Sequence, residues 1–415
     1  MNQWRTCTLG DLLEVRHGFA FLGEYFASQG THVVLTPGNF SEGGGFRAKG
    51  DKEKWYTGPI PSEYVLSRGD VLVAMTEQAE GLLGSSAKVP SNDLYLHNQR
   101  LGLISVREGV DLDFAYHLFN TPLVRQQIRA SASGTKVRHT APKRIAAVKV
   151  LVPPLPVQRR VAGILSSYDD LIDNCERRIR LLDEMARALY REWFVWFRYP
   201  GHEKVPLVES ALGKIPKGWD VLPVADVFET LGGGTPSRKN SVYWIDGTTQ
   251  WFAPSDITGA KTMFMDDSSE RITERGLAES SAKLFMPGAV MLTSRATIGA
   301  IAINTQPACT NQGFITCIPS ARMPVHLLFH WVRESVPLFE RLATGATFKE
   351  ISRGVFRGIE LAVPPSDLSA QFEDAARATS EAILNLQRRA RLLRSTRDLL
   401  LPRLLSGQLP VEEAA

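Results

Sequence analysis

Leu151-Val152-Pro153-Pro154-Leu155-Pro156-Val157-Gln158-Arg159-Arg160-Val161-Ala162 opens a long helical pattern, and Ala362-Val363-Pro364-Pro365 opens another. Inside those patterns Arg177-Arg178-Ile179-Arg180-Leu181-Leu182 returns as Arg388-Arg389-Ala390-Arg391-Leu392-Leu393. Both echoes are separated by 211 residues, about half of the 415-residue chain. A period this long is too large for a solenoid unit and points to duplicated domains related by a pseudo-twofold axis.

The repeat extends outward from the helices. Trp4 and Asp11 match Trp219 and Asp226, and Gly69-Asp70-Val71-Leu72 resembles Gly288-Ala289-Val290-Met291. Asn98-Gln99 matches Asn311-Gln312, and Ser133-Gly134 matches Thr344-Gly345. All fall in the same order, with separations between 211 and 219. The order is globular part, helix, globular part, helix.

In the first helix Val157, Val161, Ile164, Tyr168, Leu171, Cys175, Ile179, Leu182, Ala186, Leu189 and Trp193 recur every three or four residues. That is a heptad seam with one stutter near Cys175. Prolines at its start suit a helix N-terminus. Arg159, Arg160, Asp169, Asp170, Asp173, Glu176, Arg177 and Arg178 form the solvated face. The second seam runs through Leu368, Phe372, Ala375, Thr379, Ala382, Leu386, Ala390, Leu393 and Leu400. Two narrow seams related by a twofold axis are satisfied by an antiparallel pair; the alternative is that each helix packs on its own globular domain. About 36 helical residues make a rod of ~54 Å.

A chain of this length holds two to three domains, since one core rarely exceeds about 300 residues. Its net charge of +4 and isoelectric point of 8.8 suit nucleic acid without requiring it. Cys7, Cys175, Cys309 and Cys317 include no CxxC pair and read as reduced structural thiols in a cytoplasm. Met1-Asn2-Gln3-Trp4-Arg5 lacks a signal-peptide core, and no apolar run is long enough to span a membrane.

Both globular parts alternate short β-rich runs with Gly-, Pro- and Asn-rich loops. Strands are expected at 70–75, 101–106, 290–293, 300–304 and 314–318, and one helix in each half, at 112–130 and 325–342. Long loops carry recognition chemistry. In the first half the candidates are 41–54, with Arg47, Lys49, Lys52 and Lys54; 76–86, with Thr76 and Gln78; and 135–144, with Lys136, Arg138, His139 and Lys143. In the second half they are 232–244, with Arg238, Lys239 and Asn240; 294–297, with Ser294, Arg295 and Thr297; and 347–357, with Lys349 and Arg353. Glycines in such loops let backbone approach a phosphate, cations neutralise it, and Arg, Asn and Gln read base edges.

Several chemistries lack their signatures. No G-x-x-x-x-G-K-[ST] occurs, and Gly43-Gly44-Gly45 and Gly232-Gly233-Gly234 do not open a dinucleotide-binding turn. Neither an Asn-Pro-Pro nor an Asp-Pro-Pro element precedes an aromatic residue, as amino-methyltransferases require. His17, His32, His97, His117 and His139 form no metal spacing. The pattern is that of a chain that binds rather than reacts, with no cofactor and no metal.

The alternation of globular parts and Pro-Pro-led helices resembles the specificity subunit of type I restriction–modification enzymes. The likeness rests on 152–162, Ile164-Leu165 and Asp169-Asp170-Leu171-Ile172. It also rests on Gly232-Gly233-Gly234-Thr235-Pro236-Ser237, on Thr293-Ser294-Arg295-Ala296-Thr297-Ile298-Gly299, on Thr310-Asn311-Gln312-Gly313-Phe314 and on the terminal 400–407. The resemblance implies an α+β fold, with two α/β target recognition domains of curved sheet joined by two long antiparallel coiled-coil helices.

The domain layout it implies is recognition domain 1 at 1–150, a central helix at 151–200, recognition domain 2 at 201–361 and a terminal helix with its tail at 362–415. It further implies a non-catalytic subunit that reads a bipartite, asymmetric site in double-stranded DNA. Two methyltransferase subunits would carry the S-adenosylmethionine, and a restriction subunit is left open as a further partner. Helix positions expected to dock those partners are Val157, Val161, Ile164, Leu171, Leu182, Leu189, Trp193, Phe372, Leu386 and Leu393. The second helix departs in its poorer seam and its cationic end, Arg388, Arg389, Arg391, Arg394 and Arg397. That leaves open whether both helices dock partners equally. A coiled-coil adaptor with two protein-binding ends is the alternative from another class.

Overall fold

A computed structural model of the chain describes residues 4–78, 80–345 and 347–411. Met1-Asn2-Gln3, where no signal-peptide core is expected, lies outside the described residues. The chain divides into two compact units, residues 1–172 with 392–415, and residues 173–391.

In the first unit the central sheet has the order Leu13–His17, Leu101–Val106, Val71–Ala74, Ser86–Lys88, antiparallel throughout. Val71, Leu72, Val73 and Ala74 are all buried, because the sheet is covered on both faces. One face packs on Phe114, Phe119, Val124 and Ile128, the other on Leu35, Phe40 and Leu66. A smaller four-stranded sheet adds Phe21, Val34, Tyr56 and Leu96 as a satellite core. Arg5–Thr8 pairs with Lys149–Val152, so the strand entering the unit is zipped to the strand leading into the first Pro-Pro.

The second unit repeats this plan. Its main sheet runs Glu229–Gly232, Phe314–Ile318, Val290–Thr293, Ile301–Asn304, Phe264–Met265. Asp220–Pro223 pairs with Glu360–Val363, the counterpart of the entry zipper. Matched hydrogen bonds confirm the equivalence: the Leu9 amide donates to the Val148 carbonyl, and the Val224 amide to that of Ile359. The expected strands all appear. Each expected short helix proves to be two, Leu112–Phe119 with Pro122–Ala130, and Val325–Glu334 with Val336–Leu342. Pro122 and Pro337 lack the amide an uninterrupted helix would need, so each starts a new helix in its first turn.

The Pro-Pro-led helices span Leu155–Tyr190 and Ser366–Leu405, 36 and 40 residues. In the first unit Val157, Val161, Ala162 and Leu165 share a core with Leu401, Leu404 and Leu405, and Arg397 donates to Asp169 at 2.6 Å. In the second, Ile179, Leu182 and Leu189 share a core with Phe372, Ala376 and Ile383, and Phe372 meets the Tyr190 ring 6.2 Å away. In both units the beginning of one helix lies beside the end of the other, the antiparallel arrangement. The seams differ in detail from the heptad reading. Leu165 and Ile172 are buried where Ile164 and Leu171 were expected, and Ala376 and Ile383 replace Ala375 and Ala382.

The four cysteines are free; Cys7 is half-buried, and Cys175, Cys309 and Cys317 are buried. Among the described residues no helix is long and apolar enough to cross a membrane.

Candidate DNA interface

Each central sheet ends in the same small arrangement. After Val71–Ala74 the chain enters a two-residue strand, Thr76–Glu77, which pairs with Arg138–His139. Ser133 and His139 exchange both backbone hydrogen bonds, closing a tight loop over 133–139. In the second unit Thr344 and Glu350 do the same, and Arg295 bridges Glu350. The turns depend on glycine. Gly134 has φ +97° and Gly345 φ +127°; a Cβ on them would lie 2.0 Å from the Val137 carbonyl oxygen and 2.2 Å from that of Phe348. The echo of Ser133-Gly134 in Thr344-Gly345 is therefore a requirement of one backbone shape.

Hydrogen bonds align the two halves residue by residue. The Met75 amide donates to the Arg100 carbonyl as the Ser294 amide does to that of Gly313; Thr140 donates to Met75 as Ile351 does to Ser294. Thr76 thus corresponds to Arg295, Gln78 to Thr297, Arg100 to Gly313, Arg138 to Lys349 and His139 to Glu350. A cleft in the first unit is lined by Thr76, Gln78, Arg100, Val137 and His139. Its floor is firm. The buried carboxylate of Glu77 accepts the amides of Gly81, Leu82 and Leu83 at 2.9–3.1 Å, fixing the loop beyond Gln78. Arg125 donates to the carbonyls of Glu42 and Gly81, joining that loop to the 41–54 loop.

Of the expected first-half residues, Arg47, Lys52, Lys54, Gln78, Lys136, Arg138, His139 and Lys143 are exposed or half-exposed, and Thr76 is half-buried. Lys49 is turned inward, donating to Thr36 Oγ1 at 3.1 Å, and burial holds its ammonium below its usual value. In the second half Lys239, Arg295, Thr297, Lys349 and Arg353 are exposed or half-exposed. Arg295 lies 3.6 Å from Glu350, beside Ala296 at φ +62°, a left-handed conformation rare for alanine.

Four of the expected positions are engaged within the chain. Ser294 is buried, because it continues a fully covered strand. Asn240 accepts the Val242 amide at 3.3 Å and so starts a short helical turn. Arg238 is clamped by both oxygens of Glu270 and lies 3.7 Å over the Trp244 ring. Its guanidinium is engaged before any ligand arrives. Gly233 and Gly234 are small because the Asn311 and Thr310 carbonyls and the Ser281-Ala282 backbone press on them, not to admit a phosphate.

The docking expectation changes as well. Val157, Val161, Phe372 and Leu386 are buried within the chain and belong to its core. Ile164, Leu182, Leu189, Trp193 and Leu393 are half-buried. Leu171 faces solvent, together with Leu181, Met185, Leu392 and Leu399, which the seam reading passed over. Part of the cationic end is committed: Arg388 and Arg391 pair with Asp266, and Arg397 with Asp169. Arg388 in turn holds the Asp266 carboxyl below its usual range. Sequence reading also missed Arg100 and Arg125. Arg100 had a signal, since it directly follows the repeated Asn-Gln where the second half has Gly313. Arg125 had none, because its partners are backbone carbonyls distant in sequence. Among the described residues no group of His, Cys, Asp and Glu could hold a metal ion.

A family model described as the type I restriction modification DNA specificity domain matches the chain twice, over residues 1–183 and 216–378. The chain belongs to this family. The two matched segments contain the two sheet systems described above, so the specificity chain carries its domain in duplicate. It is 21% identical over 416 residues to the HindI specificity subunit of Haemophilus influenzae, spanning 85% of this chain and 89% of that one. It is 22% identical over 320 residues to the MjaIX specificity subunit of Methanocaldococcus jannaschii, 76% of this chain and 73% of that one. The fold is shared with the crystal structure of a type I S subunit from M. genitalium: TM-score 0.63 and 14% identity, across 99% of this chain and 97% of that one.

Proposed function

We propose that this specificity chain reads a split, asymmetric sequence in double-stranded DNA, one half-site with each sheet-rich unit, while the paired long helices set the spacer between them. The observation that carries this reading is the duplicated loop arrangement, one backbone bearing different side chains. A shared scaffold gives both units the same approach to a duplex, and different side chains give them different targets. The exposed cations Arg47, Lys52, Lys54, Lys136, Arg138, Lys143, Lys239, Arg295, Lys349 and Arg353 supply phosphate contacts and base readout. The chain itself performs no catalysis. It recruits two methyltransferase subunits, with a restriction subunit as a further partner, and it acts in the cytoplasm. Leu171, Leu181, Met185, Leu392 and Leu399 are the apolar helix positions free to meet a partner.

Two measurements test the reading. Affinity for duplex DNA should fall about 10³- to 10⁵-fold between ~50 and ~200 mM salt, as for six to ten phosphate contacts. Sequencing of methylated bases after co-production with the methyltransferase subunit should return one two-part motif with a constant spacer. Salt-insensitive binding, or methylation without a motif, would refute it and favour a protein adaptor.

A further inference from the structure

The internal repeat is a comparison built into one molecule. Positions that keep their chemistry in both halves serve what both halves share, and positions that change serve what distinguishes them. On the 133–139 loop and its counterpart, Arg138 matches Lys349, a cation for a cation at the same loop position. The flanking positions differ: His139 against Glu350 and Val137 against Phe348. The cleft is lined by Val137 and His139 but not by Arg138. In the first unit the constant cation lies outside the cleft lining and the two variable positions belong to it.

Arg100 is the outlying member of that cleft. It is exposed, and among the described residues its guanidinium has no hydrogen-bond or ion-pair partner. Gln78 and His139 beside it are exposed and equally uncommitted. Glu77, next to Gln78 in the chain, is buried, and its carboxylate accepts three backbone amides. A free guanidinium at the cleft can donate to the N7 and O6 acceptors of guanine, and a free carboxamide can donate to N7 and accept from the N6 amino group of adenine. In the second unit the counterpart of Arg100 is Gly313. The arginine there is Arg295, 3.6 Å from Glu350, so that site has both a donor and an acceptor.

Building on the function proposed above, we infer that the cleft of Thr76, Gln78, Arg100, Val137 and His139 is the base-reading site of the first recognition domain. Arg100 is its purine reader, directed at guanine, and Arg138 is a sequence-independent phosphate contact. The equivalent site of the second domain reads a different base pair through Arg295 and Glu350.

The test uses the full chain and a pool of randomised DNA duplexes, sequenced after selection at moderate salt. The wild-type chain enriches a two-part motif. Arg100→Ala should lower the preference at one G·C position of one half-site by about 5- to 150-fold, leaving the other half-site and the spacer intact. Arg138→Ala should weaken binding to all sequences alike and make it less salt-dependent, with the motif unchanged. A wild-type motif that Arg100→Ala leaves unaltered overturns the assignment alone. So does a uniform loss of affinity in that variant, which would make Arg100 a phosphate ligand. A wild-type chain that enriches no motif removes the underlying reading and the assignment together. Circular dichroism of the Arg100→Ala variant checks that truncation at this exposed position does not unfold the domain.

Discussion

Gly134 shows how much of the interface depends on one missing methyl group. Its left-handed backbone and the Val137 carbonyl 2.0 Å from a would-be Cβ leave no room for alanine. Gly134→Ala should cost about 1–2 kcal/mol or more and open the 133–139 loop. Hydrogen exchange at the His139 amide should accelerate and DNA affinity should drop, while Gly163→Ala serves as a control glycine substitution. A fully protected His139 amide in Gly134→Ala would contradict the turn's role.

Three buried histidines give the residue scale a pH dependence. Burial lowers His97 to about 4 and His117 and His330 to about 3. Both ring nitrogens of His330 lack a partner among the described residues, and its ring stacks on Tyr190 at 5.6 Å. In the unfolded chain these groups titrate near 6.5, so below that pH the unfolded state binds protons that the folded state excludes. The stability they contribute is complete above about 6.5 and is lost as pH falls toward the folded values. For His330 that is up to about 2 kcal/mol between pH 6.5 and 5. The thermal midpoint of His330→Leu should therefore fall less between pH 7 and pH 5 than that of the wild type. Equal slopes would sink the argument. At this scale the Ser-Gly and Asn-Gln echoes were legible in the sequence. The engagement of Arg238 was not, because its partner Glu270 lies on a distant strand.

At the scale of elements, the first long helix was legible in position and length but not in its facing residues. Ile164-Leu165 and Leu171-Ile172 are adjacent apolar pairs, and a three-four rhythm accepts either member. Packing against the rest of the chain selects Leu165 and Ile172, and periodicity has no access to that choice. The broken helices were legible in principle. Thr121-Pro122 is a cap followed by a proline at the first position, and Thr121 Oγ1 accepts the Val124 amide at 3.4 Å. Gly163 lies within the first long helix, and a methyl group on its Cα would meet nothing within 4 Å. Gly163→Ala should therefore stabilise the fold by about 0.5–1 kcal/mol and raise the thermal midpoint, as chemical denaturation can verify. A loss of stability would mean that something else covers this position.

At the scale of the whole molecule, the duplication was the most legible feature, because it is written in matched residues rather than inferred from propensity. Less visible was that each compact unit takes part of both long helices, with boundaries near Ile172 and Arg391. Distant contacts such as Asp169 with Arg397 decide that division. Four residues inserted near Cys175, with four more near Arg391 to keep the pairing, add ~6 Å of rise, about one turn. The proposed spacer should then shift by about two base pairs in a methylation map. An unchanged spacer would show that the helices do not set it. The free thiols offer a further use. Cys175, Cys309 and Cys317 all belong to the second unit, and burial pushes Cys309 up to about 12 and Cys317 higher still. Alkylating reagents attack thiolate, so Cys309 and Cys317 stay silent until that half of the chain opens. Mass-resolved iodoacetamide labelling would then act as a clock for its transient unfolding, with the half-exposed Cys7 as a reference thiol that labels without it.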